Sequence, residues 1–254
     1  MVFKLTCEAM LKPTSLAVLL AIPACAFGGD WSGELAAGYL ATSGNSSTRA
    51  LNAKAQVGWT QGPWKNVLLG SAINTAERGA VTAERYLTTD KLTYDFAERN
   101  YVFLALEFEK DLFGGIRTRS SETAGYGRHF LSGPVHKLDG ELGAGARQTE
   151  EQLTRDHHDD AVGRAALIYG WKISDTSAFS QLLKSESGRS NTLVESTTEL
   201  KLEVIGRLAA ALSYTVKYNT HVPEGVGKTD TFTAVNLSYG FGTAEPPAPL
   251  PDTH

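Results

Sequence analysis

The sequence predicts an all-β protein: a transmembrane, antiparallel, up-and-down β-barrel of about 12 strands. Three observations predict it. From about Trp31 to Phe241, apolar residues recur at every second position, in segments of about a dozen residues separated by turn formers. No later stretch approaches the roughly 18 consecutive apolar residues that a spanning helix needs. The connectors between segments alternate between tight and long, as in outer-membrane barrels.

The strands fall at about 31–40, 48–60, 65–76, 84–96, 100–111, 117–129, 136–149, 159–172, 177–186, 191–204, 207–219 and 229–241. An even count puts both termini on one side of the membrane. The clearest pair is Glu199 to Asn219. Leu200 and Leu202 alternate with Glu199, Lys201 and Glu203; after a turn near Gly206, Leu208, Leu212 and Val216 alternate with Ala209, Ser213 and Lys217. Successive strand side chains point to opposite faces, so this pair has one apolar face and one charged face. The leucines are expected to face lipid and the charges the lumen.

Tight connectors follow the even strands, at Gly62-Pro63, Ala97-Glu98-Arg99, Gly133-Pro134, Ser174-Asp175-Thr176 and Ile205-Gly206. Longer polar ones follow odd strands, at Glu77 to Ala83, Glu150 to His158 and Thr220 to Lys228. Short periplasmic turns and longer outer loops would place the N-terminus in the periplasm. Trp31, Tyr39, Trp59, Trp64, Tyr86, Tyr94, Tyr101, Tyr169, Trp171, Tyr218, Tyr239 and Phe241 gather near strand ends, where interfacial girdles form. The fourth strand is irregular: Asp90 falls in phase with Leu92, Tyr94 and Phe96, and a bulge or a late membrane entry would account for it.

Residues 1–26 have the order of a secretory signal: Lys4 and Lys12, an apolar run from Leu16 to Ile22, then Pro23 and Ala24-Cys25-Ala26. Cleavage is expected after Ala26, which leaves a mature chain from Phe27 without either cysteine; acylation at Cys25 is the alternative. Loss of Lys4, Lys12 and Glu8 moves the formal charge from −4 to about −5, which gives no basic face for nucleic acid. With 20% charged residues and a mean hydropathy of −0.19, the composition would suit a soluble protein equally well. A barrel shows only half of each strand to lipid, so this does not argue against the membrane. Residues 27–242 read as one barrel, and 243–254, with Pro246, Pro247, Pro249 and Pro251, as an extended tail.

At the first hairpin the residues become specific: Trp31-Ser32-Gly33, Gly38-Tyr39, then Ser43-Gly44-Asn45-Ser46-Ser47-Thr48. This W-x-G strand leading into an S-G-N-[ST] turn resembles the DUF481 family, YdiY-like proteins described as salt-induced outer-membrane proteins. Asp111-Leu112-Phe113-Gly114-Gly115 with Arg117, Gly125-Tyr126-Gly127, and Gly140 with Gly143-Ala144-Gly145-Ala146-Arg147 are similar too. The resemblance covers most of residues 29–242. It implies an outer-membrane barrel with lipid and the barrel assembly machinery as partners, and a role under salt or osmotic stress. It supplies no catalytic residue set and no cofactor. A tail follows Phe241, where many barrels stop.

By phase, the lumen is expected to carry Glu34, Lys54, Glu107, Glu109, Asp139, Glu141, Arg147, Arg164, Lys172, Glu195, Glu199, Lys201, Glu203 and Lys217. Such mixed charges either pair across the barrel or line a wet passage for ions or small solutes. His157 and His158, within Asp156-His157-His158-Asp159-Asp160, are weak metal-ligand candidates, because adjacent ligands rarely close a site. No Ser/His spacing identifies a nucleophile and its base. A non-enzymatic narrow channel or structural envelope component is therefore expected. An outer-membrane enzyme with a rim-located Ser/His site and a soluble periplasmic binding barrel are the alternatives.

Overall fold

The computed structural model describes residues 29–42, 48–77, 80–112, 115–222 and 227–243. Its strands are β1 (Asp30–Thr42), β2 (Thr48–Gln61), β3 (Trp64–Glu77), β4 (Ala80–Ala97), β5 (Asn100–Asp111), β6 (Ile116–Ser132), β7 (His136–Glu151), β8 (His157–Lys172), β9 (Ser177–Ser187), β10 (Thr192–Ile205), β11 (Leu208–Asn219) and β12 (Thr229–Gly242). Each pairs antiparallel with its chain neighbour, and β12 returns to β1 to close the ring. Closure gives every strand a partner on both sides, although β1 and β12 pair only over Ser32–Ala37 and Leu237–Gly242. The described residues contain no helix. The expected signal segment 1–26 with its two cysteines, and the tail beyond Thr243, lie outside the described residues.

One end of the barrel carries tight turns. Gln61 and Trp64 are joined by Gly62-Pro63, and Ile205 and Leu208 by Gly206-Arg207. Gly62 and Gly206 have φ of +57° and +58°. A positive φ at the first central position matches the twist of a two-residue hairpin, and glycine adopts it without a Cβ clash.

The other end differs from the sequence expectation. Instead of a loop from Glu77 to Ala83, pairing continues through Ala76↔Val81 and Glu77↔Ala80 past a register shift at Thr75/Ala76. Glu150 likewise pairs with His157, so the connector expected at Glu150 to His158 shortens to 152–156. Only Thr220 to Lys228 keeps its expected length. Where both faces of a ribbon meet water, backbone pairing persists without apolar alternation, so the sequence pattern ends before the strand does.

The wall is sided. Leu35, Leu51, Leu104, Leu142, Leu183, Leu202, Leu212, Val235 and Leu237 are exposed on the outside, Leu142 at 68% and Val235 at 67%. Rings collect at the turn end, with Trp31 beside Phe241 (5.9 Å between centroids), Trp64 beside Tyr94 (4.7 Å) and Tyr169 beside Phe179 (6.3 Å). Tyr101 is a correction: it faces the lumen, 2% exposed, rather than joining the girdle. The residues fall on the inner wall at odd positions of β5, and Tyr101 shares that phase with Phe103, Ala105 and Glu109.

Asp90 does point outward with Leu92, but no bulge resolves it. The β3–β4 register is continuous from Trp64 to Thr75, and the Asn66 side-chain amide donates to Asp90 Oδ1 at 2.6 Å.

Candidate functional site: ion pairs across the lumen

Residues that cannot touch around the wall touch across it, which fixes the inner face. β5 and β11 lie six strands apart in the ring of twelve, on opposite sides. Even so, Lys217 of β11 donates to Glu109 of β5. Arg85 Nη2 donates to the same carboxylate at 2.6 Å and Arg119 Nη1 at 3.2 Å, so three cations from β4, β6 and β11 converge on Glu109. Asp111 lies 3.5 Å from Arg85 Nε and 3.9 Å from Lys217 Nζ. Glu109, Asp111 and Lys217 are each 1% exposed and Arg85 3%.

Below this girder, Lys184 of β9 donates to Glu107 of β5 at 2.9 Å and lies 3.6 Å from Glu195 of β10. Arg164 of β8 donates to Glu186 at 3.2 Å and lies 3.6 Å from Glu141. Lys91 of β4 also donates to Glu141, three strands away on β7, and the Tyr101 hydroxyl donates to it at 2.8 Å. Lys201 of β10 donates to Glu34 of β1. At the turn end, Lys65 reaches Asp95 at 2.6 Å, and His129 lies between Asp139 (2.7 Å) and Asp95 (3.6 Å).

Local sequence explains how these side chains fit. Gly127 faces Tyr101 across the strand pair, and the Tyr101 ring occupies the space a Gly127 side chain would fill. Phe103 lies over Gly125 and Gly143 in the same manner. Lys91 Nζ and Arg164 Cζ then sit 5.4 and 5.6 Å from the Phe103 ring centre, in cation–π range. The glycine runs thus make room for two rings that fill the lumen near the turn end.

At the loop end, the connector 188–191 folds over the mouth. The Ser190 amide donates to Asp160 Oδ1 at 3.1 Å and its hydroxyl to Oδ2, while Arg147 Nη2 donates to the Asn191 carbonyl at 2.7 Å.

Of the charges expected inside, Glu107, Glu109, Glu141, Arg147, Arg164, Glu195 and Lys217 sit in this packed interior, and Glu34 pairs with Lys201 nearer the turn end. Lys54 is buried and Glu199 half-buried on the same wall. Glu203 and Lys172 sit exposed at the turn end, Lys172 with Asp175 at 2.9 Å. Phase reading missed Arg85, Lys91, Asp111, Arg119, Asp160, Lys184 and Glu186. His157 and His158 are successive strand residues on opposite faces, so they do not converge on one ion; His158 Nε2 lies 3.5 Å from Glu151. The described residues hold no group of three or more His, Cys, Asp or Glu side chains placed to bind a metal.

The chain is 30% identical over 212 residues to the uncharacterized protein YdiY of Escherichia coli strain K12, covering 83% of each chain. Among solved structures it is similar to the NanC porin (10% identity, 82% of this chain and 97% of that chain, TM-score 0.48). It is similar also to an anion-selective porin from Comamonas acidovorans (12% identity, 84% and 99%, TM-score 0.42). The family model described as "Protein of unknown function, DUF481" matches residues 35–241, and the chain belongs to that family.

Proposed function

We propose that this chain is an outer-membrane barrel whose lumen is closed at rest, a structural envelope component that passes at most small ions when its ion-pair network yields. The observation that carries this reading is the contact of Lys217 with Glu109 across the full width of the ring. Side chains meeting at the axis obstruct the lumen at that level, and opening a passage there would separate buried charges. Removing one partner of such a buried pair costs about 3–5 kcal/mol. The apolar outer wall and the rings at the turn end support a bilayer setting, with tight turns toward the periplasm and the loop end outside. The secretory signal expected at residues 1–26 would supply the export that an outer-membrane setting needs.

Neither a cofactor nor catalytic turnover is part of this proposal. The Ser190 hydroxyl is donated to Asp160 and His158 faces Glu151, so these two residues of the loop-end mouth serve other partners. The partners proposed are outer-membrane lipid and the barrel assembly machinery. A role under salt or osmotic stress is proposed from the family resemblance, and a deletion strain losing fitness only in high-salt medium would support it.

The test is solute entry into liposomes carrying the refolded, heat-modifiable protein. Swelling in arabinose at the rate of protein-free liposomes is expected. Swelling at the rate of an open porin would overturn the closed reading.

A further inference from the structure

We infer that the outer wall of β6 to β9 seats one glycerophospholipid of the turn-end leaflet, with an acyl chain in a groove across β7 and β8 and the phosphate on Arg128. The inference rests on the bilayer setting proposed above and holds whether or not the lumen conducts.

The groove follows from residue size along two neighbouring rungs of the wall. Register sets Tyr126, Leu142, Ala165 and Ser185 side by side on one rung, and Arg128, Gly140, Leu167 and Leu183 on the next toward the turn end. All eight positions face outward, because Gly127, Glu141, Ala166 and Lys184, which alternate with them along the strands, are turned in and buried. Gly140, Ala165 and Ser185 are small among large neighbours, and the depression they leave has a volume of about 390 Å³. Ligand sites run roughly 300–1,000 Å³, so this one suits a length of hydrocarbon rather than a whole lipid. The Phe130 ring lies over Gly140 and bounds the groove on the turn side. Glu141 also lines it, but its carboxylate is held in the lumen by Lys91 and Tyr101.

Arg128 identifies the occupant. On a wall that faces lipid, an apolar groove is filled by hydrocarbon or by another protein. The Arg128 side chain is exposed and makes no hydrogen bond or ion pair among the described residues. Asn100, opposite it on β5, accepts from the Tyr126 hydroxyl at 2.5 Å instead. A second copy laid face to face on this groove would bury two Arg128 side chains and bring no free carboxylate from either groove to receive them. A phospholipid brings both the hydrocarbon and a phosphate, which accepts two parallel N–H bonds from a guanidinium. The rung of Arg128 is next to that of Tyr169, among the turn-end rings, which is the depth of a headgroup.

Native mass spectrometry of the full refolded chain, released from detergent with phosphatidylglycerol or with diacylglycerol of the same chains, tests the seat. One saturable phosphatidylglycerol per chain is expected, bound at least tenfold more tightly than diacylglycerol. Arg128→Gln should abolish that preference, and Ala165→Phe should weaken both lipids at least tenfold. Ala55→Phe, on the outer face of β2 across the ring, should change neither. Equal binding of the two lipids by the wild type, unchanged binding in the folded variants, or a wild-type dimer that Ala165→Phe dissolves would overturn the proposal. If a variant does not fold, phosphatidylglycerol with a diazirine in its acyl chain decides on the wild type. Adducts should concentrate on β7 and β8, and adducts spread evenly round the ring would overturn the seat. A heat-modifiable barrel without the bound lipid refutes the seat alone, whereas a chain that never gains heat-modifiable migration in vesicles refutes the bilayer setting with it.

Discussion

The β10–β11 pair and the β3–β4 pair solve the same wall problem in opposite ways. In β10–β11, polarity announces sidedness: Leu202, Leu212 and Tyr214 face out while Glu195, Ser213, Thr215 and Lys217 face in. In β3–β4 the rule is crossed. Leu69 and Leu87 are buried inside, 0% and 2% exposed, packed with Val67, whereas Asn66 and Asp90 face outward and satisfy each other. The difference teaches that a barrel face tolerates either polarity once the side chain has a local partner. An inward leucine needs apolar neighbours, and an outward carboxylate needs a donor.

Four substitutions probe that contrast, in order of expected effect. Glu109→Ala should be the most destabilising, about 3–5 kcal/mol, because three cations lose their shared buried carboxylate. A urea folding titration into lipid vesicles measures it, and a loss confined to a few tenths of a kcal/mol would mean the girder is ornamental. Leu212→Arg, in the middle of the exposed face of β11, should cost roughly 2–4 kcal/mol by the same titration. No loss there would invert the assignment of inner and outer faces. Asn66→Leu should cost about 1–3 kcal/mol by stranding the Asp90 carboxylate. The double variant Asn66→Leu, Asp90→Leu should recover most of that loss, because both polar partners leave together. A double variant as weak as the single one would show that Asp90 has a further role.

The fold was legible because its signals were local. Alternation, twelve segments and glycine-bearing turns such as Gly62-Pro63 and Gly206-Arg207 lie within short windows. The ion pairs across the lumen were less so. Lys217 could be put on the inner face by phase, but its partner Glu109 is 108 residues away in the chain and no short window contains both; the Lys184–Glu195 pair, by contrast, lies directly across the β9–β10 hairpin. Lys184 and Arg85 escaped notice because each shares its inward face with a leucine, Leu182 and Leu87, so alternation fails at those strands. Tyr101 was misplaced for a related reason. Nearness to a strand end suggested a girdle, whereas its side is set by the glycine at Gly127 that makes room for the ring. Partner choice across a barrel is a property of ring closure and register, and neither is encoded in a single strand.

The central claim is that charges meeting at the axis hold the lumen shut, and the most direct measurement is planar-bilayer conductance of Glu109→Ala beside the wild type. With Glu109 gone, Lys217 loses its hydrogen-bonded partner opposite and Arg85 and Arg119 no longer converge on the axis. Three cations, with Asp111 the carboxylate left beside Arg85 and Lys217, would favour anions in any passage that opens. The account predicts a silent wild type and discrete, anion-preferring openings in the variant. A wild type that conducts steadily, or a folded variant as silent as its parent, would contradict it.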